Sequence, residues 1–128
     1  MSGSTLGKIL VVDDDPPLLR SIGVFLTRRS YEVDTCGSAG EALEKFQAEP
    51  GTYSVLVVDM TLRGMPADVL IEQVRRIDCH VGVIVTSGYS VRLPLSAESP
   101  GRHIVALQKP FTPDTLTQTI ERMLSSRS

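Results

Sequence analysis

The sequence predicts an α/β fold, in which helices cover both faces of a single open parallel sheet of five strands. Short apolar segments alternate along the chain with segments of helical periodicity, as repeated βα units require. Parallel strands are buried on both faces and therefore occur as continuous apolar runs. Four segments have this character: Ile9–Val12, Val55–Val58, Val81–Val85 and Ile104–Leu107.

The remaining strand and the helices are predicted from local patterns. Tyr31–Cys36 alternates apolar and polar residues, which is typical of an edge strand. Pro16 and Pro17 suit the first turn of a helix. Ser38 begins a capping-box pattern, and Thr112 precedes a Pro-Asp helix start. The fourth helix, over Val91–Ser99, contains a proline, so we do not expect it to be regular.

The composition indicates one globular domain. The chain has 128 residues, 41% of them hydrophobic and 22% charged, which is enough to bury one core. The formal net charge of −2 offers no basic surface for direct contact with nucleic acid. No apolar run approaches the roughly 18 residues needed to span a membrane. Residues 1–7 are expected to be a flexible lead-in or a cloning remnant, and residues 8–126 the domain.

The two cysteines indicate a reducing compartment. Cys36 and Cys79 form neither a CxxC pair nor a zinc-binding spacing. Both flank predicted strands, where a free cysteine behaves as a small buried hydrophobe. We therefore expect structural thiols in a cytoplasmic protein.

Polar residues follow four of the predicted strands. Asp13–Asp15 follow the first strand and Asp59 the third, Thr86 and Ser87 follow the fourth, and Lys109 comes after the fifth. In open parallel sheets, ligands bind beyond the carboxyl ends of the strands. We therefore expect these groups to share one rim of the sheet, except for Asp15, which fits a helix N-cap.

This rim would concentrate negative charge. Two carboxylates about 4 Å apart repel by about 4 kcal/mol at an effective dielectric constant of 20. Asp13, Asp14 and Asp59 therefore need a bound cation or raised pKa values. Hard oxygen donors suit Mg²⁺, for which Mn²⁺ is expected to substitute. With the cation bound, Asp59 can attack a phosphoryl group whose oxygens Lys109 and Ser87 would bind.

The motifs as a set resemble the receiver domains of two-component response regulators, over essentially the whole chain. The residues that carry the resemblance are Val11–Asp15, Val57–Met60, Thr86–Tyr89 and Lys109–Phe111. The resemblance implies a flavodoxin-like fold with strand order 2-1-3-4-5. It also implies signalling by aspartyl phosphorylation.

The resemblance assigns roles to individual residues. Asp59 would be the phosphoacceptor, and Asp13 and Asp14 would hold Mg²⁺ together with Asp59. The main-chain carbonyl of Thr61 would be a further metal ligand. Lys109 would bind the phosphoryl group.

Three further expectations come from comparing this chain with the family pattern. The switch hydroxyl is expected at Ser87, because small Gly88 follows it, with Thr86 as the alternative. Ala106 stands where many relatives have an aromatic residue that reports phosphorylation, which puts a switch based on that side chain in doubt. The bond between Lys109 and Pro110 is expected to be cis.

The resemblance implies a signalling domain that mediates its own Mg²⁺-dependent phosphorylation and slow dephosphorylation, and is not otherwise an enzyme. The partners would be a sensor histidine kinase or a histidine phosphotransfer domain, and a downstream protein or attached output domain. A homodimer formed on phosphorylation is also compatible with it. The segments Thr86–Tyr89 and Gln108–Phe111 look like those of hybrid histidine kinase receivers.

Two other functions remain open from the sequence. One is a pseudo-receiver that binds partners without phosphorylation. The other is a small phosphatase with an aspartate nucleophile, which needs an acid two positions later, where this chain has Thr61. The first is the stronger of the two.

Overall fold

A computed structural model describes residues 8–62, 64–88 and 104–125. Five parallel strands form one sheet in the order β2-β1-β3-β4-β5, as predicted. The strands are β1 (Lys8–Val12), β2 (Glu32–Cys36), β3 (Tyr53–Asp59), β4 (Gly82–Ser87) and β5 (Ile104–Gln108). The helices are α1 (Pro16–Arg28), α2 (Ala39–Ala48), α3 (Ala67–Ile77) and α4 (Pro113–Ser125). The predicted lead-in and the predicted helix over Val91–Ser99 lie outside the described residues.

The core is divided by the sheet into two apolar layers. Successive residues of β1 point to opposite faces, as the pleat of a strand requires. Leu10 and Val12 pack in the layer under α2 and α3, and Ile9 and Val11 in the layer under α1 and α4. Both layers are fully apolar at the centre of the sheet, so the strands that carry the polar rim are held rigidly from both sides.

The helix starts follow the predicted capping patterns. The Asp15 side chain accepts a hydrogen bond from the amide of Leu18 at 3.4 Å, so this residue is the N-cap of α1. Ser38 accepts from the amide of Glu41 at 3.2 Å and caps α2. These caps satisfy amides that have no partner inside a helix.

Two sequence expectations are corrected by the structure. Strand β5 is not buried on both faces, because it has only one neighbour in the sheet, and Val105 is 40% exposed. Cys79 is exposed, because it lies in the turn between α3 and β4 rather than in the strand itself, whereas Cys36 is buried as expected. Both cysteines are free thiols.

Candidate functional site

Three carboxylates meet at the carboxyl ends of the two central strands β1 and β3. Val12 and Val58 are paired in the sheet, so Asp13 and Asp59, which come next in each chain segment, lie side by side. One carboxylate oxygen each from Asp13, Asp14 and Asp59 lies within 4.8 Å of the others. Asp13 and Asp59 are each 3% exposed, whereas Asp14 is exposed to solvent. The predicted acidic pocket therefore exists, with one accessible carboxylate at its mouth.

Lys109 enters this pocket from the other side. The amide of Lys109 donates to the carbonyl of Ser87 at 2.6 Å, which fixes the end of β5 against the end of β4. Its side-chain ammonium lies 3.0 Å from Asp13 Oδ2 and 3.6 Å from Asp59 Oδ2. The bond from Lys109 to Pro110 is cis, as predicted. The lysine is thus the counter-ion of both buried carboxylates in this structure.

Burial and mutual charge shift the pKa values of Asp13 and Lys109 in the pocket. Burial raises the pKa of Asp13 above its ordinary value, and the charge of Asp59 adds to this, although the hydrogen bond and charge of Lys109 oppose it. Burial alone would lower the pKa of Lys109, but its hydrogen bond to Asp13 and the charges of both carboxylates outweigh this and raise the pKa. Among the described residues, three carboxylates and one ammonium meet in the pocket, so negative charge is in excess there.

Each buried carboxylate is also held by an amide two residues later. The amide of Asp15 donates to Asp13 Oδ1 at 3.0 Å, and the amide of Thr61 donates to Asp59 Oδ1 at 3.1 Å. This is the Asx-turn pattern of aspartates at strand ends. The Thr61 hydroxyl adds a second contact, 3.0 Å from Oδ1 and 3.1 Å from Oδ2 of Asp59. Sequence reasoning missed this hydroxyl, although a Thr two positions after a strand-end Asp was the available signal.

The two candidate switch hydroxyls lie on the same rim. Thr86 is paired with Asp59 in the sheet, and its carbonyl accepts from the amide of Met60 at 2.8 Å. Ser87, one residue further, is paired with Gln108. Each of the two hydroxyl residues is only 2% exposed. The choice of Ser87 over Thr86 remains a prediction.

The donor set fits a hard divalent cation. The three converging side chains offer only carboxylate oxygens, the donors that Mg²⁺ prefers. Exposed Asp14 leaves room for the waters that Mg²⁺ retains. The excess negative charge gives a physical reason for a cation to bind. The role of the Thr61 carbonyl as a ligand remains a prediction.

The fold and the site define a class: a doubly wound α/β domain with an acidic pocket beyond the carboxyl ends of its central strands. Residues 9–121 match the sequence model of the response regulator receiver domain. This chain belongs to the response regulator receiver domain family, whose members serve as phosphoacceptors in two-component signalling. The acidic cluster fits a phosphorylation site.

Solved structures show the same likeness. A response regulator receiver domain from Clostridium thermocellum superposes with a TM-score of 0.84 at 26% identity, covering 94% of this chain and 96% of that one. The receiver domain of the hybrid histidine kinase CckA gives 0.80 at 26% identity, covering 92% and 99%. The response regulator TrrA from Thermotoga maritima, in complex with Mg²⁺-BeF, gives 0.75 at 28% identity, covering 91% and 98%.

Curated relatives are mostly longer proteins. The regulatory protein VanRB of Enterococcus faecalis is 29% identical over 86% of this chain, which spans 59% of that protein. The two-component response regulator ARR11 of Arabidopsis thaliana is 39% identical over 52% of this chain and 13% of its own length. The chain thus spans between about an eighth and three fifths of these relatives. Within its described part, we find no helix long and apolar enough to cross a membrane.

Proposed function

We propose that Asp59 accepts a phosphoryl group in a Mg²⁺-dependent reaction, and that the phosphorylated domain changes its contacts with partners. The observation that supports this most strongly is the convergence of Asp13, Asp14 and Asp59 with the Lys109 ammonium. An acidic pocket that already holds one cationic side chain has the charge pattern needed to admit a cation and then a phosphoryl group.

Each residue of the acidic pocket would have a separate role in the reaction. Asp13, Asp14, Asp59 and the Thr61 carbonyl would hold Mg²⁺, with Mn²⁺ as a substitute. When bound, the ion would neutralise phosphoryl oxygens and lower the repulsion between the phosphodonor and the pocket. Asp59 supplies the attacking carboxylate oxygen. Lys109, whose side chain is 26% exposed, would turn from Asp13 towards a phosphoryl oxygen.

The test uses acetyl phosphate and Mg²⁺, with intact mass as the readout. We expect a single phosphoryl adduct on the wild-type domain and none on Asp59→Asn. Asp68→Asn, an exposed acid in the first turn of α3, is the matched control and should be modified normally. A wild-type protein that forms no adduct would favour the pseudo-receiver. Continuous phosphate release at the rates of an enzyme would favour the phosphatase.

The switch hydroxyl is tested by a second pair of variants. We propose Ser87 as the residue that binds the phosphoryl group and transmits its presence. Ser87→Ala should still be phosphorylated but should lose the phosphorylation-dependent change in hydrogen exchange of β4. Thr86→Val should keep it. The reverse result would assign the role to Thr86.

The partners follow from the same chemistry. We propose that a sensor histidine kinase or a histidine phosphotransfer domain supplies the phosphoryl group in the cytoplasm, and that a downstream protein or attached output domain reads the modified state. The free thiols of Cys36 and Cys79 suit a reducing compartment. Phosphotransfer from a histidine-phosphorylated donor to the wild type, but not to Asp59→Asn, tests the donor class. Sedimentation with and without acetyl phosphate tests for a homodimer.

A further inference from the structure

We propose that the side-chain hydroxyl of Thr61 is a clamp on Asp59 that slows its phosphorylation and weakens the affinity of the pocket for Mg²⁺. Thr61 is a positioning residue in this role, because it acts on the reaction through the Asp59 carboxylate. The inference rests on the proposed phosphoacceptor function. It concerns the side chain of Thr61, and is separate from the expectation that its carbonyl binds metal.

The geometry shows a hydroxyl shared between both carboxylate oxygens. Thr61 Oγ1 lies 3.0 Å from Asp59 Oδ1 and 3.1 Å from Oδ2. A hydroxyl carries one proton, so it donates to one oxygen at a time or is shared between the two. Because the Thr61 amide also donates to Oδ1, the same residue holds the carboxylate through two donors. The orientation of the Asp59 carboxylate is therefore fixed locally as well as by Lys109.

The chemistry requires this contact to change. When Asp59 is phosphorylated, one carboxylate oxygen forms a bond to phosphorus while the bond from phosphorus to the leaving group breaks. With acetyl phosphate, the leaving acetate departs with the electron pair of that bond. Because the attacking oxygen gives a lone pair to phosphorus, a hydroxyl that donated to that lone pair must move to the other oxygen. A hydroxyl that donates to a carboxylate oxygen also engages one of its lone pairs, which is then less available to attack phosphorus or to bind a metal ion.

The size of the effect is limited by solvent. Thr61 is exposed, so water can replace part of what its hydroxyl provides. We therefore expect loss of the hydroxyl to accelerate phosphorylation about 5-fold, a change of about 1 kcal/mol in the barrier. Affinity for Mg²⁺ should rise in the same direction by about 2- to 5-fold.

A series of variants at this position separates the hydroxyl from side-chain bulk. Thr61→Val keeps the shape and removes the hydroxyl, Thr61→Ser keeps the hydroxyl with less bulk, and Thr61→Ala removes both. The rate of adduct formation from acetyl phosphate is measured at saturating Mg²⁺. Affinity for Mg²⁺ is measured separately by calorimetry, without a phosphodonor. Thermal unfolding in EDTA checks that each variant is folded.

The expected order is that Thr61→Val and Thr61→Ala are faster than wild type and bind Mg²⁺ more tightly, whereas Thr61→Ser remains close to wild type. Equal or slower phosphorylation of Thr61→Val, with wild type forming its adduct, would overturn the clamp and leave the proposed function standing. Acceleration in Thr61→Ser equal to that in Thr61→Val would assign the effect to bulk and would also overturn it. A wild-type protein without any adduct would instead refute the phosphoacceptor function itself, and the Mg²⁺ titrations would still test the clamp.

Discussion

Replacing Lys109 by methionine should destabilise the metal-free domain much more than the magnesium-loaded domain. The ammonium lies 3.0 Å from Asp13 and 3.6 Å from Asp59. At an effective dielectric constant of 20, these separations correspond to attractions of about 5.5 and about 4.6 kcal/mol. The two carboxylates repel each other by at least about 3.5 kcal/mol at 4.8 Å or less, and methionine would leave that repulsion unopposed.

The net cost is smaller than these pair energies. Lys109 is partly hydrated, with a quarter of its side chain exposed, and its burial already costs free energy. Breaking a buried ion pair by removing one partner costs about 3–5 kcal/mol, so we expect a loss of about 2–4 kcal/mol in the free energy of unfolding. In Mg²⁺ the deficit should fall below about 1 kcal/mol, because the divalent ion supplies the missing positive charge and no longer competes with an ammonium.

The assay is urea unfolding of wild type and Lys109→Met, in EDTA and in millimolar Mg²⁺, followed by circular dichroism. Lys8→Met is the matched control. Lys8 is the first residue of β1, at the opposite end of the strand from the site. Its side chain is 28% exposed, and its ammonium lies 3.2 Å from Asp34. Removing this ion pair should therefore lower the free energy of unfolding by the same amount in both buffers.

The pH dependence gives a second check on the same ion pair. Because the pKa of Lys109 is raised in the folded protein, its stabilising contribution is complete below the ordinary value of 10.5. It is lost as the pH rises through the raised pKa. The difference between wild type and Lys109→Met in EDTA should therefore persist to about pH 10 and shrink above it. Equal deficits in EDTA and Mg²⁺ would refute the expectation that bound Mg²⁺ supplies the positive charge lost with Lys109.

Three further outcomes test other parts of the structure. Asp13→Asn loses the ion pair with Lys109 but also removes a buried charge, and the raised pKa of Asp13 indicates that the cost of burying the charge is the larger of the two. The substitution should therefore raise the melting temperature in EDTA by about 3–6 °C at pH 7. The gain should disappear towards pH 4, because protonation of Asp13, whose pKa is raised, gives the wild type the same relief. A thiol reagent at pH 8 should modify Cys79 rapidly and Cys36 only on unfolding, because burial raises the pKa of Cys36 to about 11; Cys79→Ser should remove the fast phase. Gly82→Ala should cost about 1–3 kcal/mol in urea unfolding, because a Cβ there would lie 2.5 Å from the sulfur of Met123.

Much of the fold could be predicted because its signals are local. The apolar runs of β1, β3 and β4 are buried on both faces, and such strands are recognisable without any neighbour. The caps at Asp15 and Ser38 depend on residues three positions apart. Edge position is not a local property, which is why the apolar run containing Val105 was wrongly expected to be buried.

Some contacts of the candidate site could likewise be predicted from the sequence, and others could not. The meeting of Asp13 with Asp59 follows from strand order, since β1 and β3 are neighbours and end at the same level. Which carboxylate Lys109 approaches more closely depends on side-chain conformations across three strands, and no spacing in the sequence encodes that. The contact of the Thr61 hydroxyl with both oxygens of Asp59 is local, yet it depends on the turn after β3, whose form the sequence did not specify.

Binding of a cation and a phosphoryl group would replace some of the contacts that the carboxylates of the acidic pocket make in this structure. The Lys109 ammonium donates a hydrogen bond to Asp13, and the Thr61 hydroxyl donates one to Asp59. The amide of Asp15 also donates to Asp13. A bound cation and a phosphoryl group would displace the first two contacts and offer charge-assisted bonds in return, each worth about 1.5–3 kcal/mol. Because contacts of similar strength are lost and gained, the net gain from each exchange is smaller than the strength of the bond that forms. Converting a 1:99 population into 99:1 needs about 5.5 kcal/mol, so a complete switch would require about two to four charge-assisted bonds in excess of those lost.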